Sequence, residues 1–322
     1  MSFDQLMQHA YDIQAKAIAG SMGQHGIRPA AKPGDPPFTP KPGEDEMRAK
    51  IIASFAGIPS LFEPFTMMPT PSSFDGLIDD IGRAMTKLSS GYLTDDPITG
   101  EGYLANTVLS KIGASESYME LWTGYAADTF RSDFIAPFPA MVANQFIGCA
   151  VLRGALAAQR ALWSSARDDI DRVAHDALNA LDNMDHCGQN RWTMTWTIVA
   201  SLASIAAVPI SGGASGAMGL AVVTSVTAVG AAAQAVAAYP VDGPTETRYH
   251  GETAEVVIDE VRHAVSDAIA EIQRGEQKIV EALDRMQVAV GQHRPLFVAP
   301  RPNLVNATPG NVFSASYLGD AR

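Results

Sequence analysis

Apolar side chains recur at steps of three and four along most of this chain, the spacing that puts them on one face of a helix. Residues 3–20 carry the first such stripe: Phe3, Leu6, Met7, Ala10, Ile13, Ala17 and Ile18. A second begins after Pro71-Ser72-Ser73-Phe74-Asp75, whose Ser and Asp side chains are of the type that caps a helix, and runs through Leu77, Ile78, Ile81, Ala84, Met85 and Leu88 to a stop at Gly91. A further helical stretch is expected from Tyr103 to about Leu121. Pro137 and Pro139 should then interrupt the chain before a long helix over 140–186, striped by Leu162, Ala166, Ile170, Val173, Ala177, Leu181 and Met184. The last amphipathic segment, 251–291, has Ile258, Val261, Val265, Ala268, Ile272, Ile279, Leu283, Met286 and Val290 as its seam, with Gly275 in the gap, and this predicts packing along a neighbouring long helix.

Two regions break the pattern. From Pro29 to Pro71 the chain holds ten of its twenty prolines, including Pro33, Pro36, Pro37, Pro40 and Pro42, which predicts an extended arm with an amphipathic patch near 46–57. From Trp192 to Val241 no charged residue and no histidine occurs. That block divides at Pro209-Ile210-Ser211-Gly212-Gly213 into apolar arms of about 18 and 24 residues, close to the length that crosses a hydrocarbon layer of ~30 Å. Trp192, Trp196 and Tyr239 mark its outer ends, as interfacial aromatics do, and Gly212, Gly213, Gly216 and Gly219 allow two helices to approach closely. Burial in a soluble bundle or oligomer and insertion in lipid are both open readings of this helical hairpin.

The expected class is therefore all-α: an elongated helical bundle with a Pro-rich N-terminal arm and a Gly/Ala-rich apolar hairpin. Its divisions are 1–71 (helix and arm), 72–190 (helical hairpin), 191–241 (uncharged block), 242–293 (long amphipathic helix) and 294–322 (extended tail). Composition narrows function mainly by exclusion. A net charge of −12 and the lack of clustered Lys and Arg argue against a nucleic-acid groove. Two cysteines, Cys149 and Cys187, allow one bridge or two free thiols. The first twenty residues lack the basic start, apolar block and cleavage site of a signal peptide, so export is expected to use another route. The seven histidines show no metal-binding spacing to one another, and Asp182, Asp185, His186 and Cys187 are read as a polar helix end. Asp79-Asp80 and Asp168-Asp169 are expected to face solvent. No catalytic residue, cofactor site or metal site is expected.

One short stretch carries more. In Leu121-Trp122-Thr123-Gly124-Tyr125-Ala126-Ala127-Asp128-Thr129-Phe130, a glycine supplies turn angles, a bulky residue precedes it, and Asp128 complements the positive end of the helix that follows. Trp122, Gly124, Ala126, Ala127 and Phe130 resemble the Trp-Xaa-Gly signature of the WXG family, the helical-hairpin substrates of type VII (ESX) secretion systems. Together with the apolar block and the long helix beyond it, the order resembles the larger actinobacterial ESX secretion-associated proteins of the EspA and EspE kind. The resemblance implies a non-enzymatic, exported protein, secreted or associated with the cell envelope, that pairs with a helical partner or with itself. It implies that Trp122 and Gly124 form the turn a partner or the export machinery reads, and that Ala126 and Ala127 permit close helix contact. The family's Tyr-Xaa-Xaa-Xaa-Asp/Glu export signal is absent after the second helix: Tyr92 to Asp96 precedes the turn, and Tyr317-Leu318-Gly319-Asp320 is one residue short. The alternative function is a pore-forming or membrane-anchored effector that inserts 192–239.

Overall fold

A computed structural model of the chain describes residues 3–27, 41–91, 93–119, 121–184, 190–197, 245–299, 301, 303–314 and 317. They are mostly helical. In chain order the helices are α1 (Leu6–Gln24), α2 (Glu44–Phe55), α3 (Ile58–Phe62), α4 (Asp75–Leu88), α5 (Thr107–Ala114), α6 (Tyr125–Phe130), α7 (Phe138–Asp182) and α8 (Ala254–Gln292). Two strands, β1 (Asn190–Trp196) and β2 (Thr245–Gly251), lie between α7 and α8 and pair antiparallel.

The described residues form two compact units, both of which draw on α7 and α8. The first joins α1–α3 to α7 from Arg160 onward, both strands, and α8 as far as Glu276. Its core is the stripe read from the sequence: Leu162, Ala166, Ile170, Val173, Ala177 and Leu181 of α7 and Ile258, Val261, Val265, Ala268 and Ile272 of α8 are all buried. Leu6, Ala10, Ile13 and Ala17 give α1 a matching face. Polar ties fix its register: Lys16 pairs with Asp182, and Ser21 donates to Glu255. Gly20 leaves room for Met184, whose Cε would lie 2.4 Å from a Cβ placed there.

In the second unit, α4 lies antiparallel on α7, with Met85 and Ile81 against Phe146 and Gly82 near Arg153. The segment after α4 folds back over the same face. Ile98 fills the space beside Gly154, Tyr103 meets Phe146 edge-on at 5.5 Å, and the buried Asp96 caps Ile98 and Thr99 while its other oxygen receives Arg153. Arg153 also bonds Glu101 at 2.6 Å, so one arginine staples this loop to the helix. Burial pushes the Cys149 thiol of the same cluster upward.

Five expectations change. The arm is helical where it is described: α2 and α3 are followed by 3-10 turns at Glu63–Met67 and Pro71–Phe74. Pro59, Pro64 and Pro71 sit at first or second positions of their turns, where the missing N–H has no helical partner to lose. The stretch expected to be helical over 103–121 is only α5 and a 3-10 turn at Ser115–Met119, with Asn106 capping α5 through Val108 N. Ahead of Pro137 the chain widens into a π-helical turn, Arg131–Ile135, and so passes the two prolines into α7.

The fourth change concerns the fold class, because the start of the uncharged block is a strand and the protein is not all-α. Trp192, Met194 and Trp196 alternate with Thr193 and Thr195, a period of two in β-branched and aromatic residues. Trp192 stacks on its partner Tyr249 at 5.5 Å, and Met194 and Trp196 are buried. Trp196 Nε1 donates to Thr247 Oγ1 at 3.1 Å, and Tyr249 donates its hydroxyl to Asp267 at 2.9 Å. Burial, and then that carboxylate, hold the Tyr249 phenol well above the usual tyrosine range. The fifth change is at Asp169, which was expected to face solvent. It is fully buried, accepting from Thr197 N at 2.9 Å and Thr197 Oγ1 at 3.2 Å, with Arg172 3.3 Å away. Desolvation raises its pKa, opposed by the Thr197 N–H and by Arg172. Asp79, Asp80 and Asp168 are exposed as expected.

Candidate functional site: the Trp-Xaa-Gly turn

The chain reaches Gly124 from the 3-10 turn at Ser115–Met119 and leaves it as α6. Gly124 has φ +100° and ψ 173°, a conformation open essentially to glycine alone, while its carbonyl accepts the first helical bond from Asp128 N at 3.0 Å. No atom lies within 4 Å of where its Cβ would be, so only the backbone angle demands glycine. Gly124→Ala should therefore lower the denaturant midpoint of unfolding by the equivalent of about 1–3 kcal/mol. Gly76→Ala is the control: it lies on helical backbone with equally open space, and should be neutral or stabilising by roughly 0.5–1 kcal/mol. Equal effects for the two would contradict the geometry.

Arg131 completes the turn. Its guanidinium donates to the carbonyls of Trp122, at 2.8 Å, and Met119, so the two sides of the bend are tied by one side chain that also faces Asp128 at 3.6 Å. The Trp122 ring leans on Phe130 at 5.7 Å, Phe130 stacks on Phe134 at 5.1 Å, and Phe134 meets Phe138 at 5.6 Å. The result is a column of four aromatics on one face, the last three spaced by four residues. Trp122 remains 43% exposed, and Tyr118, Leu121 and Tyr125 beside it in sequence are also exposed, giving the turn an apolar character unusual at a protein surface. Ala127 is fully buried and Ala126 half-buried.

Of the residues singled out in the sequence, the turn set Trp122, Gly124, Ala126, Ala127 and Phe130 thus comes together. Trp192 and Trp196 belong to the other unit, in its strand ladder, where Trp192 stacks on Tyr249 and Trp196 is buried. Gly212, Gly213, Gly216, Gly219 and Tyr239 lie outside the described residues, as do His186 and Cys187. The sequence reading missed Arg131, Phe134 and Phe138. The aromatic spacing of four was available as a signal, whereas the reach of Arg131 back across the turn was not.

A second grouping brings together side chains that were read as scattered. His9 of α1 meets Asp171 and His175 of α7, whose spacing of four puts them on one helix face. No family model, curated protein or solved structure matches this chain.

Proposed function

We propose that this chain is a non-enzymatic helical interaction protein of the type VII secretion class, whose Trp-Xaa-Gly turn docks a helical partner chain or a second copy of itself. One observation carries this reading: a glycine-only bend, clamped by Arg131, that holds an aromatic column and leaves Trp122 at the surface. Aromatic and arginine side chains on a rigid support are the residues that anchor protein interfaces. An exported or envelope-associated location follows from the same resemblance. In cells with an active type VII system, the full chain should co-purify with a small WXG-type partner and appear outside the cytosol. Trp122→Ala should reduce capture at least tenfold without changing the circular dichroism spectrum. Retention of the wild-type chain in the cytosol, with no such partner bound, would sink the proposal.

A second reading, a membrane-anchored or pore-forming effector, is favoured by the strand ladder. Trp196 stands opposite Thr245, so the chain leaves β1 and re-enters β2 at one place, and the rest of the uncharged block, from Thr197 to Val241, lies between those two points in sequence. An inserted hairpin needs neighbouring ends of this kind.

A further inference from the structure

His9 lies on the buried face of α1 with its side chain only 5% exposed, and its Nδ1 has no hydrogen-bond partner. That nitrogen is 3.6 Å from Asp171 Oδ1, itself a buried oxygen without a partner. The other oxygen of Asp171 is 3.6 Å from His175 Nδ1. These separations are too long for hydrogen bonds, and two orphaned polar atoms facing each other inside a core are costly. Two ligands of a tetrahedral zinc ion, each bonded at about 2.0–2.1 Å, stand about 3.3 Å apart, close to the 3.6 Å between His9 Nδ1 and Asp171 Oδ1. One donor atom from each of the three residues lies within 4.8 Å of the others, so modest side-chain rotation completes the set.

The supporting contacts agree. His175 Nδ1 lies 2.7 Å from the Asp171 carbonyl, and donating to it puts the ring's lone pair on Nε2, the arrangement that orients many metal-bound histidines. The two imidazoles meet edge-on at 4.8 Å rather than stacking flat. Positive side chains on this stretch of α7 are engaged elsewhere: Arg172 binds Asp169 and the Thr195 carbonyl, and Arg167 binds the Met68 carbonyl and covers the Phe3 ring. His9 is shut off from solvent while Asp171 and His175 are partly exposed, which leaves a side for a water as fourth ligand.

We propose that His9, Asp171 and His175 bind one divalent transition-metal ion, of which zinc is the best-fitting example, and that the ion clamps α1 to α7. Two imidazoles and one carboxylate suit zinc, cobalt or nickel and disfavour calcium and magnesium, which take oxygen ligands. Bound metal stabilises the folded chain by mass action, since the unfolded chain does not hold the three ligands together.

The test uses the untagged full chain, stripped with chelator and titrated with zinc by calorimetry and with cobalt by visible absorption. One ion per chain should bind with a Kd in the micromolar range or tighter, raise Tm, and give cobalt the visible bands of a low-coordinate site. Asp171→Asn, which keeps the shape of the side chain, and His175→Gln, at the partly open position, should each weaken binding at least tenfold with circular dichroism unchanged. His9→Gln should do the same, but its burial makes it the variant most prone to misfold, so the other two decide. Millimolar magnesium or calcium should not compete. Wild-type binding weaker than about 100 μM, or binding unaltered in both Asp171→Asn and His175→Gln, would overturn the proposal.

Discussion

A chain in which residues 198–244 are replaced by Gly-Asn-Gly is expected to fold. Trp196 and Thr245 are already partners across the ladder, where paired Cα atoms lie about 4.5–5.5 Å apart, so a short turn closes the gap without moving either strand. Thr197, which anchors the end of β1 to Asp169, is retained. Far-UV circular dichroism should keep its helical signal, and thermal unfolding should remain cooperative. The same variant separates the two functional readings. If the block inserts in lipid, the full chain should float with liposomes and the shortened chain should stay with the soluble fraction, a near-complete change. If both chains behave alike and capture of a helical partner is intact, the membrane reading fails and docking at the turn stands. A shortened chain that is collapsed or aggregated would mean that the block belongs to the protein core, which would contradict the expectation of independent folding.

The second large effect is expected at Trp196. Its indole is 1% exposed and its Nε1–H is bonded to Thr247, so truncation to Ala removes the largest fully buried side chain among the described residues and leaves the threonine hydroxyl without that partner. The expected loss is about 3–5 kcal/mol, from the transfer of buried apolar surface and the cavity left behind. Denaturant unfolding in aqueous buffer measures it. Trp192→Ala, where the ring is only partly buried against Tyr249, should cost roughly half as much. A small effect of Trp196→Ala in buffer, together with weakened liposome binding, would show that this tryptophan acts at a lipid interface and that its packing contributes little.

The contrast at these two positions explains how far a sequence can be read. Composition marked Trp192 and Trp196 as the edge of an uncharged block, and a charge-free run is compatible with either lipid or a protein core. The alternation of Trp, Met and Trp with Thr is a strand signal that the helical reading passed over, because β structure needs a distant partner, and that partner, 245–251, is mostly polar. The helical stripes of α7 and α8 were legible for the opposite reason: a helix satisfies its own backbone, and its buried face is written in spacing alone. Gly124 was legible as well, because the angle it adopts is local. Arg131, which bonds back nine residues to Trp122, was not, since an arginine in a helix looks the same whether it meets water or clamps a turn. Asp169 was misread on similar grounds: two adjacent aspartates point to different sides of α7, and only the returning β1 strand makes one of those sides an interior.

By itself, then, the sequence determined the periodic helices, the glycine-dependent turn and the existence of an apolar block without charge, all properties set by interactions between near neighbours. Tertiary structure alone decided which strand closes on which and which carboxylate is buried. It also brought His9 to Asp171 and His175, a meeting of residues more than 160 positions apart that depends on how α1 packs along α7 and leaves no periodic trace in the chain.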